Sequence, residues 1–178
     1  MTKTVVERVK LKATLMRALN PDAANMVPLS VEGEDRYILL MHPAHAYSLR
    51  VTDTAGWIAA QQAAAASEGR SNPIFKGGLG LMANTVLHEH ERVIRFTDYG
   101  AGANVQAARA LYLGRQAGVE AYGMAGGLSF QWNEEAQDHG NLLEIASGTI
   151  WGFKKARFDN RDFGVIAVDA AIPLSVIQ

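Results

Sequence analysis

The densest group of side chains capable of chemistry in this sequence is His88-Glu89-His90-Glu91. Residues two apart on a β-strand lie on the same face, so His88 and His90 would both reach one divalent metal ion. Such a site also needs a further protein ligand and a supporting hydrogen-bonded shell. No HExxH motif is present, because the residue four after His88 is Arg92. We therefore expect a solvated strand end here, with metal binding as the alternative.

A second candidate is the glycine turn Gly100-Ala101-Gly102, which precedes a segment predicted to be helical. Dinucleotide-binding fingerprints begin in this way, because backbone N–H groups at the helix end hold a pyrophosphate. The third glycine of the fingerprint is missing, since position 105 is valine, and no lysine follows as in a P-loop. A tight turn followed by an Asn104 helix cap explains these residues, and nucleotide binding stays the alternative.

Three carboxylates, Glu134, Glu135 and Asp138, are close enough in sequence to suggest acid–base chemistry. Neighbouring carboxylates before a turn more often form a solvated face or the start of a helix. The preceding Gly127–Gln131 is not a nucleophile elbow, because Gln131 stands where the second glycine must be. No catalytic residue is predicted from this segment.

The three tryptophans, Trp57, Trp132 and Trp151, are expected in the core. One of them at an interface would not be unusual, because aromatic residues are enriched there. No catalytic, cofactor-binding or metal-binding residues are predicted from the residues alone.

The elements that position these groups follow from apolar spacing and turn signals. Thr4 and Glu7 have the spacing of a capping box, and a helix is predicted over about 4–19, ending before Pro21. The apolar run 37–41 is predicted to be a buried strand that His42-Pro43 ends. Helices are also predicted over 44–50 and 57–66, and a further helix begins at Asn104, with an apolar face of Val105, Ala108, Leu111, Tyr112 and Val119. An irregular loop is predicted over 71–80. Strands are predicted over 84–88, 92–96, 128–132, 141–158 and 162–169. The fold class is α+β.

Composition excludes several classes of protein. A chain of 178 residues with 48% hydrophobic and 20% charged residues forms a globular domain or a pair of small ones. The absence of cysteine excludes disulfide scaffolds and thiolate metal sites. The formal net charge is −1, and the densest basic cluster is Lys154, Lys155 and Arg157, which argues against a dedicated nucleic-acid or membrane binder. With no run of 18 uncharged apolar residues, we expect no membrane partner and synthesis in the cytoplasm of the producing cell.

A series of segments carries a family resemblance by its order along the chain. The segments are Tyr37–Pro43 with Leu49-Arg50 and Trp57, then Asn72–Phe75, Gly78–Gly80 and Val86–His90, then Leu111–Ala117, and last Trp132–Glu134, Asp138–Asn141, Ile150–Lys155 and Asp162–Ile166. Together they resemble the major capsid proteins of tailed phages, of the phage N-four type, in which the Leu111–Ala117 segment is similar to a helix. The resemblance covers about 30–170, and its specificity lies in the order of the segments.

The resemblance implies a structural protein with the Hong Kong 97-like capsid fold. It implies an axial (A) domain over 31–132 and part of a peripheral (P) domain over 1–30 and 133–178, lacking the N-terminal arm and the E-loop. The implied function is that of a major capsid protein subunit, or its folded core fragment, which assembles with copies of itself into the hexamers and pentamers of an icosahedral shell enclosing phage DNA.

Further partners implied by the resemblance are scaffold, portal or decoration proteins, with non-specific contact to packaged DNA at the inner face. The implied location is the virion capsid, after synthesis in the bacterial host. No enzymatic activity and no cofactor are expected. Two alternatives stay open: a small nucleotide- or metal-binding enzyme built around 100–104 and the histidines, and a capsid decoration or interaction module.

Overall fold

A computed structural model of the chain is mixed α and β, and it describes residues 1–19, 21, 25–31, 33–67, 77–124 and 126–172. The helices are α1 (Lys3–Thr14), α2 (Met16–Leu19), α3 (Pro43–Thr52) and α4 (Thr54–Ser67). The strands are β1 (Leu29–Val31), β2 (Glu34–Met41), β3 (Gly80–Met82), β4 (Thr85–Glu89), β5 (Arg95–Tyr99), β6 (Val105–Leu113), β7 (Gly118–Tyr122), β8 (Gln131–Gln137), β9 (Leu142–Gly148), β10 (Trp151–Lys155), β11 (Arg157–Phe158), β12 (Arg161–Asp162) and β13 (Val165–Ala171).

The chain divides into two compact units. Unit 1 comprises Met1–Ala117 and Arg157–Gln178, and unit 2 comprises Gly118–Ala156. The assignment of 31–132 to an axial domain, and of 1–30 and 133–178 to a peripheral domain, stays a prediction.

Unit 1 is built on a seven-stranded mixed sheet. Its strands follow the order β13-β6-β2-β4-β3, with β1 beside β2 and β5 beside β6. β2 and β4 pair in parallel, and the other pairs of this sheet are antiparallel. A parallel pair requires a crossover connection, and α3 and α4 lie in that connection.

The junction between β2 and α3 follows the predicted pattern. β2 ends at Met41, and Pro43 occupies the first turn of α3, where its missing N–H removes no helical hydrogen bond. His42 caps the helix, because its Nδ1 accepts the Ala44 N–H at 3.1 Å. Burial and the nearby charge of Arg95 lower the pKa of His42, which favours the neutral ring that this cap requires.

The core of unit 1 surrounds Tyr112, which is fully buried. Its ring centroid lies 5.1 Å from that of Tyr37, and its hydroxyl lies 3.0 Å from Thr85 Oγ1. Burial raises the pKa of Tyr112 to about 12. The same core contains residues from α1, α3, β2 and β4, namely Val6, Leu39, Met41, Leu49 and Leu87. Helices and central strands of unit 1 therefore share one apolar interior.

The helix predicted after Asn104 is wrong, because Val105–Leu113 is the central strand β6, flanked by β13, β2 and β5. The Leu111–Ala117 segment is not helical either: it ends β6 and continues into a turn. Both faces of β6 contribute buried residues, including Ala107 and Ala108. Apolar residues therefore fill consecutive positions, and the alternation that marks a strand disappears.

The first predicted helix is divided in two. α1 begins at Lys3, and its N-cap, Thr2, makes no side-chain hydrogen bond, so the capping box of Thr4 and Glu7 does not form. Glu7 instead lies 3.9 Å from the Lys3 ammonium. α1 ends at Thr14 and α2 begins at Met16, within the predicted range of 4–19.

Most of the other elements agree with the predictions apart from their ends. The strand predicted over 141–158 is three strands, β9, β10 and β11, and its first break comes directly after Gly148, one of the two predicted bend points. The strands predicted over 92–96, 128–132 and 162–169 begin or end a few residues later, as β5, β8 and β13. The irregular loop predicted over 71–80 lies largely outside the described residues.

Candidate subunit interface

Unit 2 has no buried side chain among its described residues, 118–124 and 126–156, each of which is exposed or half-buried. It nevertheless carries many large apolar side chains that are exposed: Val119, Tyr122, Met124, Leu128, Phe130, Trp132, Leu142, Leu143, Ile145, Ile150, Trp151 and Phe153. Soluble monomers rarely expose large contiguous apolar patches, and such patches mark interaction sites. We therefore place the candidate functional site in this unit.

The first part of the site is a β-hairpin formed by β8 and β9. The two strands pair antiparallel along their whole length, from Gln131 opposite Gly148 to Gln137 opposite Leu142. The turn between them includes Asp138–Gly140, whose three residues have positive φ values of 51°, 54° and 93°. Glycine tolerates such a backbone best, and aspartate and histidine are among the side chains that adopt it.

The pairing register divides the hairpin into two unlike faces. Directly opposite residues share a face, and successive residues alternate between faces. One face, which we call the apolar hairpin face, carries Trp132, Ala136, Leu143 and Ile145, together with Glu134 and Ser147. The opposite face, which we call the polar hairpin face, carries Gln131, Asn133, Glu135, Gln137 and Glu144, together with Leu142, Ala146 and Gly148.

The apolar hairpin face is open to solvent. Trp132 is 63% exposed, Leu143 is 55% exposed and Ile145 is 53% exposed. On the polar hairpin face, by contrast, Gln137 Nε2 donates a hydrogen bond of 2.8 Å to Glu144 Oε2. A two-faced strand pair normally buries its apolar side, so this arrangement is typical of a surface that a partner covers.

The second part of the site is the antiparallel pair of β7 and β10, which we call the basic ribbon. One of its faces carries Tyr122, Glu120, Trp151, Phe153 and Lys155. The Trp151 indole N–H donates to the Glu120 carboxylate, and hydrogen bonds from Trp151 and Tyr122 lower the pKa of Glu120. Phe153 lies over Gly118, where a β-carbon would be only 2.4 Å from the ring.

The other face of the basic ribbon is small and flat. It carries Val119, Ala121, Gly152 and Lys154, and a β-carbon added at Gly152 would meet no atom within 4 Å. Lys154 is its only charged side chain. The backbone of this face is therefore open to close approach by a large side chain.

The two parts of unit 2 differ in charge. The hairpin region 131–148 contains Glu134, Glu135, Asp138 and Glu144 and no lysine or arginine. β10 contributes Lys154 and Lys155, against the single carboxylate of β7. Every copy of the chain thus carries an acidic hairpin and a basic strand pair.

The histidine cluster lies at the end of β4, which stops at Glu89. His90 Nδ1 accepts the backbone N–H of Arg92 at 3.1 Å, which places its ring within the turn that follows. Glu89 lies 3.7 Å from the guanidinium of Arg50. Among the described residues, no group of three or more His, Asp and Glu side chains is placed to hold a metal ion.

The glycine turn at 100–102 joins two strands, β5 and β6, instead of a strand and a helix. It closes through the Ala103 N–H, which donates to the Gly100 carbonyl at 3.1 Å, and Gly100 has a φ of 86°. The nucleotide hypothesis required a helix N-terminus at this point, and its structural basis is therefore wrong.

A cavity of about 360 Å³ lies beside β5 and β6 and is lined by Arg95, Phe96, Thr97, Gln106, Ala107 and Ile172. Its lining includes neither the residues of the glycine turn nor the histidines of 88–91. The residues that suggested an enzyme are therefore not gathered around this cavity.

The carboxylates of β8 are separated by the alternation of the strand. Glu134 lies on the apolar hairpin face opposite Ile145, and Glu135 lies on the polar hairpin face opposite Glu144. Asp138 belongs to the turn. The structure therefore places Glu134 and Glu135 on opposite faces and does not gather the three predicted carboxylates at one point.

The tryptophans divide between the units. Trp57 packs against the core of unit 1, and the Arg50 guanidinium lies 5.0 Å from its ring centroid. The expectation of a core position is wrong for Trp132 and Trp151, which are exposed in unit 2. In β9, Leu143 and Ile145 lie two apart and were a partial sequence signal of the apolar face. In β8 the corresponding alternation is interrupted by Glu134, between Trp132 and Ala136.

Comparison with known proteins identifies the family. The profile of a family described as phage capsid protein matches residues 2–174. The chain belongs to this family. The resemblance to phage major capsid proteins is thereby confirmed.

Individual relatives agree with this family. The chain is 32% identical, over 118 residues, to the major capsid protein of Pseudomonas phage KPP25, a match that covers 59% of this chain and 30% of that protein. The capsid of Ralstonia phage GP4 superposes with a TM-score of 0.86 at 55% identity, covering 97% of this chain and 47% of that chain. The capsid protein of cyanophage Pam1 shares the fold, with a TM-score of 0.65 at 22% identity over 96% of this chain and 47% of its own.

The phage capsid chain described here spans less than half the length of the first of these relatives. None of its described helices is long and apolar enough to cross a membrane.

Proposed function

We propose that this chain is a tailed-phage major capsid protein subunit, or its folded core fragment, with the Hong Kong 97-like fold. Its role is structural: copies associate into the hexamers and pentamers of an icosahedral shell that encloses phage DNA. The observation that carries the proposal is the GP4 capsid match, at 55% identity over 97% of this chain. The site supports it, because unit 2 exposes many large apolar side chains, as surfaces that bind a partner do.

The physical requirements of a shell subunit agree with these features. A shell is held by many contacts of modest strength around rotation axes, and their combined effect is avidity. A formal net charge of −1 favours only weak, non-specific contact with packaged DNA at the inner face, since strong DNA binding needs clustered lysine and arginine. Scaffold, portal and decoration proteins complete the proposed set of partners, and the virion capsid is the proposed location after synthesis in the host cytoplasm.

Domain positions are part of the same proposal. Residues 31–132 are proposed to form the axial domain, and 1–30 with 133–178 to form part of the peripheral domain. The alternatives of a nucleotide- or metal-binding enzyme lose their support, since Gly102 precedes a strand, His88 lies within β4 and the ring of His90 caps the turn that follows.

The experiment is to purify the chain and follow its association with concentration. Sedimentation velocity is expected to show species larger than a monomer that grow with concentration, and negative-stain electron microscopy is expected to show rings or sheets of regular spacing. A chain that stays monomeric at every concentration would contradict the proposed function. Irregular aggregates without repeating units would contradict it equally.

A further inference from the structure

We propose that the apolar hairpin face of one copy binds the basic ribbon of a second copy of this chain. This inference rests on the proposed function and names the surfaces that perform it. It is a heterologous contact, because two different surfaces of the same chain meet.

The hairpin requires a covering partner. A two-stranded hairpin is at best marginally stable in water unless its apolar face packs against something. Here the face that carries Trp132, Leu143 and Ile145 is more than half exposed at each of these residues. Aromatic side chains of this kind are the residues that most often dominate the binding energy of an interface.

Charge identifies the partner as a second copy. The hairpin region 131–148 holds four carboxylates and no lysine or arginine, while β10 holds Lys154 and Lys155. Opposite potentials on two surfaces of one chain attract when copies meet head to tail, and like surfaces repel. The same charges therefore favour a repeating contact over a symmetric contact between two hairpins.

Shape and charge together select the flat face of the basic ribbon. That face carries Val119, Ala121 and Gly152, with Lys154 as its only charged group. The apolar hairpin face carries large side chains, with Glu134 as its only charged group. Small residues let the ring of Trp132 approach the backbone at Gly152, and the carboxylate of Glu134 then faces an ammonium across the contact.

The test compares two faces of the same hairpin. Association of the wild-type chain, of W132S/I145S on the apolar hairpin face and of Q131S/N133S on the polar hairpin face is measured by sedimentation equilibrium. We expect the first variant to lose about tenfold or more of the association constant, since an aromatic anchor and a neighbouring apolar side chain are removed. The second variant is expected to associate like the wild type. Far-UV circular dichroism checks that both variants keep their folded content.

A charge exchange tests the pairing without removing apolar area. E134K and K154E are each expected to associate more weakly than the wild type. An equimolar mixture of the two is expected to recover association, because each copy then offers a hairpin whose charge is opposite to the ribbon of the other. The recovery is expected to weaken with salt, as for exposed charges.

The outcomes separate this inference from the proposed function. A wild-type chain that does not associate contradicts both this inference and the proposed function. A wild-type chain that associates while W132S/I145S associates equally well overturns the inference alone, and something other than a second copy then covers the hairpin. Failure of the mixture of E134K and K154E to exceed the single variants overturns the proposed pairing with the basic ribbon.

Discussion

The two units of this chain differ in whether they bury large apolar side chains. In unit 1, residues such as Leu39, Leu87 and Tyr112 are almost completely removed from solvent. In unit 2, residues of the same size, such as Trp132 and Phe153, are exposed for most of their surface. The first arrangement stabilises the chain by itself, and the second is suited to stabilise an assembly of chains.

The two units also differ in the interactions that stabilise their strands. Unit 1 has a seven-stranded sheet packed against helices. Unit 2 has two strand pairs whose order depends on ladder hydrogen bonds and on local side-chain contacts such as that of Trp151 with Glu120. Equal substitutions in the two units should therefore affect different quantities: the free energy of unfolding in unit 1 and association in unit 2.

The largest effect is expected from Tyr112→Ala in unit 1. The substitution removes a fully buried ring whose centroid lies 5.1 Å from that of Tyr37. It also removes the hydroxyl that hydrogen-bonds with Thr85 Oγ1. It should lower the free energy of unfolding by about 3–5 kcal/mol, the usual range for removing a buried aromatic side chain. Urea denaturation measures this loss. Y112F keeps the ring and should lose about 1 kcal/mol, since only one hydrogen bond is removed.

The matched substitution in unit 2 is Phe153→Ala. Phe153 is 67% exposed, so its removal should change the free energy of unfolding by only about 0.5 kcal/mol or less. If F153A destabilises the chain as strongly as Y112A, the contrast between the two units is wrong.

A pair of glycine substitutions compares the space around the backbone in the two units. A β-carbon at Gly114 in unit 1 would lie 2.7 Å from the Val27 carbonyl oxygen and 2.9 Å from Met26 Cγ. Gly114→Ala should therefore lower the free energy of unfolding by about 1–3 kcal/mol, as overpacking of a close backbone contact does. Thermal unfolding followed by circular dichroism measures the change.

The control for Gly114→Ala is Gly148→Ala at the end of β9. A β-carbon at Gly148 would meet no atom within 4 Å, so this substitution should leave the unfolding midpoint almost unchanged. Two equal midpoint shifts would show that the space around these glycines does not decide the outcome.

The sequence predictions succeeded where local signals decide the structure and failed where the tertiary context decides it. His42-Pro43 marked the end of β2 and the start of α3 correctly, because proline acts on its immediate neighbours. The helix predicted from Asn104 failed, because β6 is packed on both faces and only the surrounding sheet makes its Ala-rich segment a strand.

The candidate site was only partly predictable for the same reason. The order of segments pointed to a capsid protein, and the family match confirms it. No local signal indicated that Trp132 and Trp151 lie outside a core, because the exposure of a side chain depends on whether distant parts of the chain pack over it. The spacing of Leu143 and Ile145 suggested one apolar face in β9, but the pairing of Trp132 with Ser147 and of Glu134 with Ile145 was needed to define both faces of the hairpin.

Acid should weaken unit 1 through His45. Its side chain is fully buried, Nε2 lies 3.0 Å from the Ala170 carbonyl oxygen, and Nδ1 has no hydrogen-bond partner among the described residues. Burial lowers the pKa of His45 from 6.5, the Ala170 carbonyl partly opposes this, and the positive charges of the Met1 amino terminus and His42 add to it. The unfolded chain therefore binds more protons below the ordinary histidine value, and the free energy of unfolding falls as the pH drops from about 6.5.

Urea denaturation at pH 8 and pH 5.5 checks this dependence. H45Q keeps an amide able to donate to the Ala170 carbonyl and removes the titrating ring, so it should reduce the pH dependence while lowering stability at pH 8. His42, which caps α3, should account for part of the pH dependence that remains in H45Q, because protonation of its Nδ1 removes the hydrogen-bond acceptor of the cap. A wild-type chain equally stable at both pH values would contradict the assignment.

The smallest effect is expected at the Trp151–Glu120 contact of unit 2, a single exposed side-chain hydrogen bond with no core around it. Hydrogen bonds from Trp151 and Tyr122 lower the pKa of Glu120 below its ordinary value of 4.5, so the carboxylate stays an acceptor until the pH falls further. The indole N–H resonance of Trp151, followed by NMR, should shift with a midpoint below that of ordinary glutamates. E120Q should remove the shift, and the resonance of Trp57, which lies in unit 1, serves as the internal reference. A midpoint at or above 4.5 would mean that this contact is absent in solution, and that unit 2 lacks the local order attributed to it before a second copy binds.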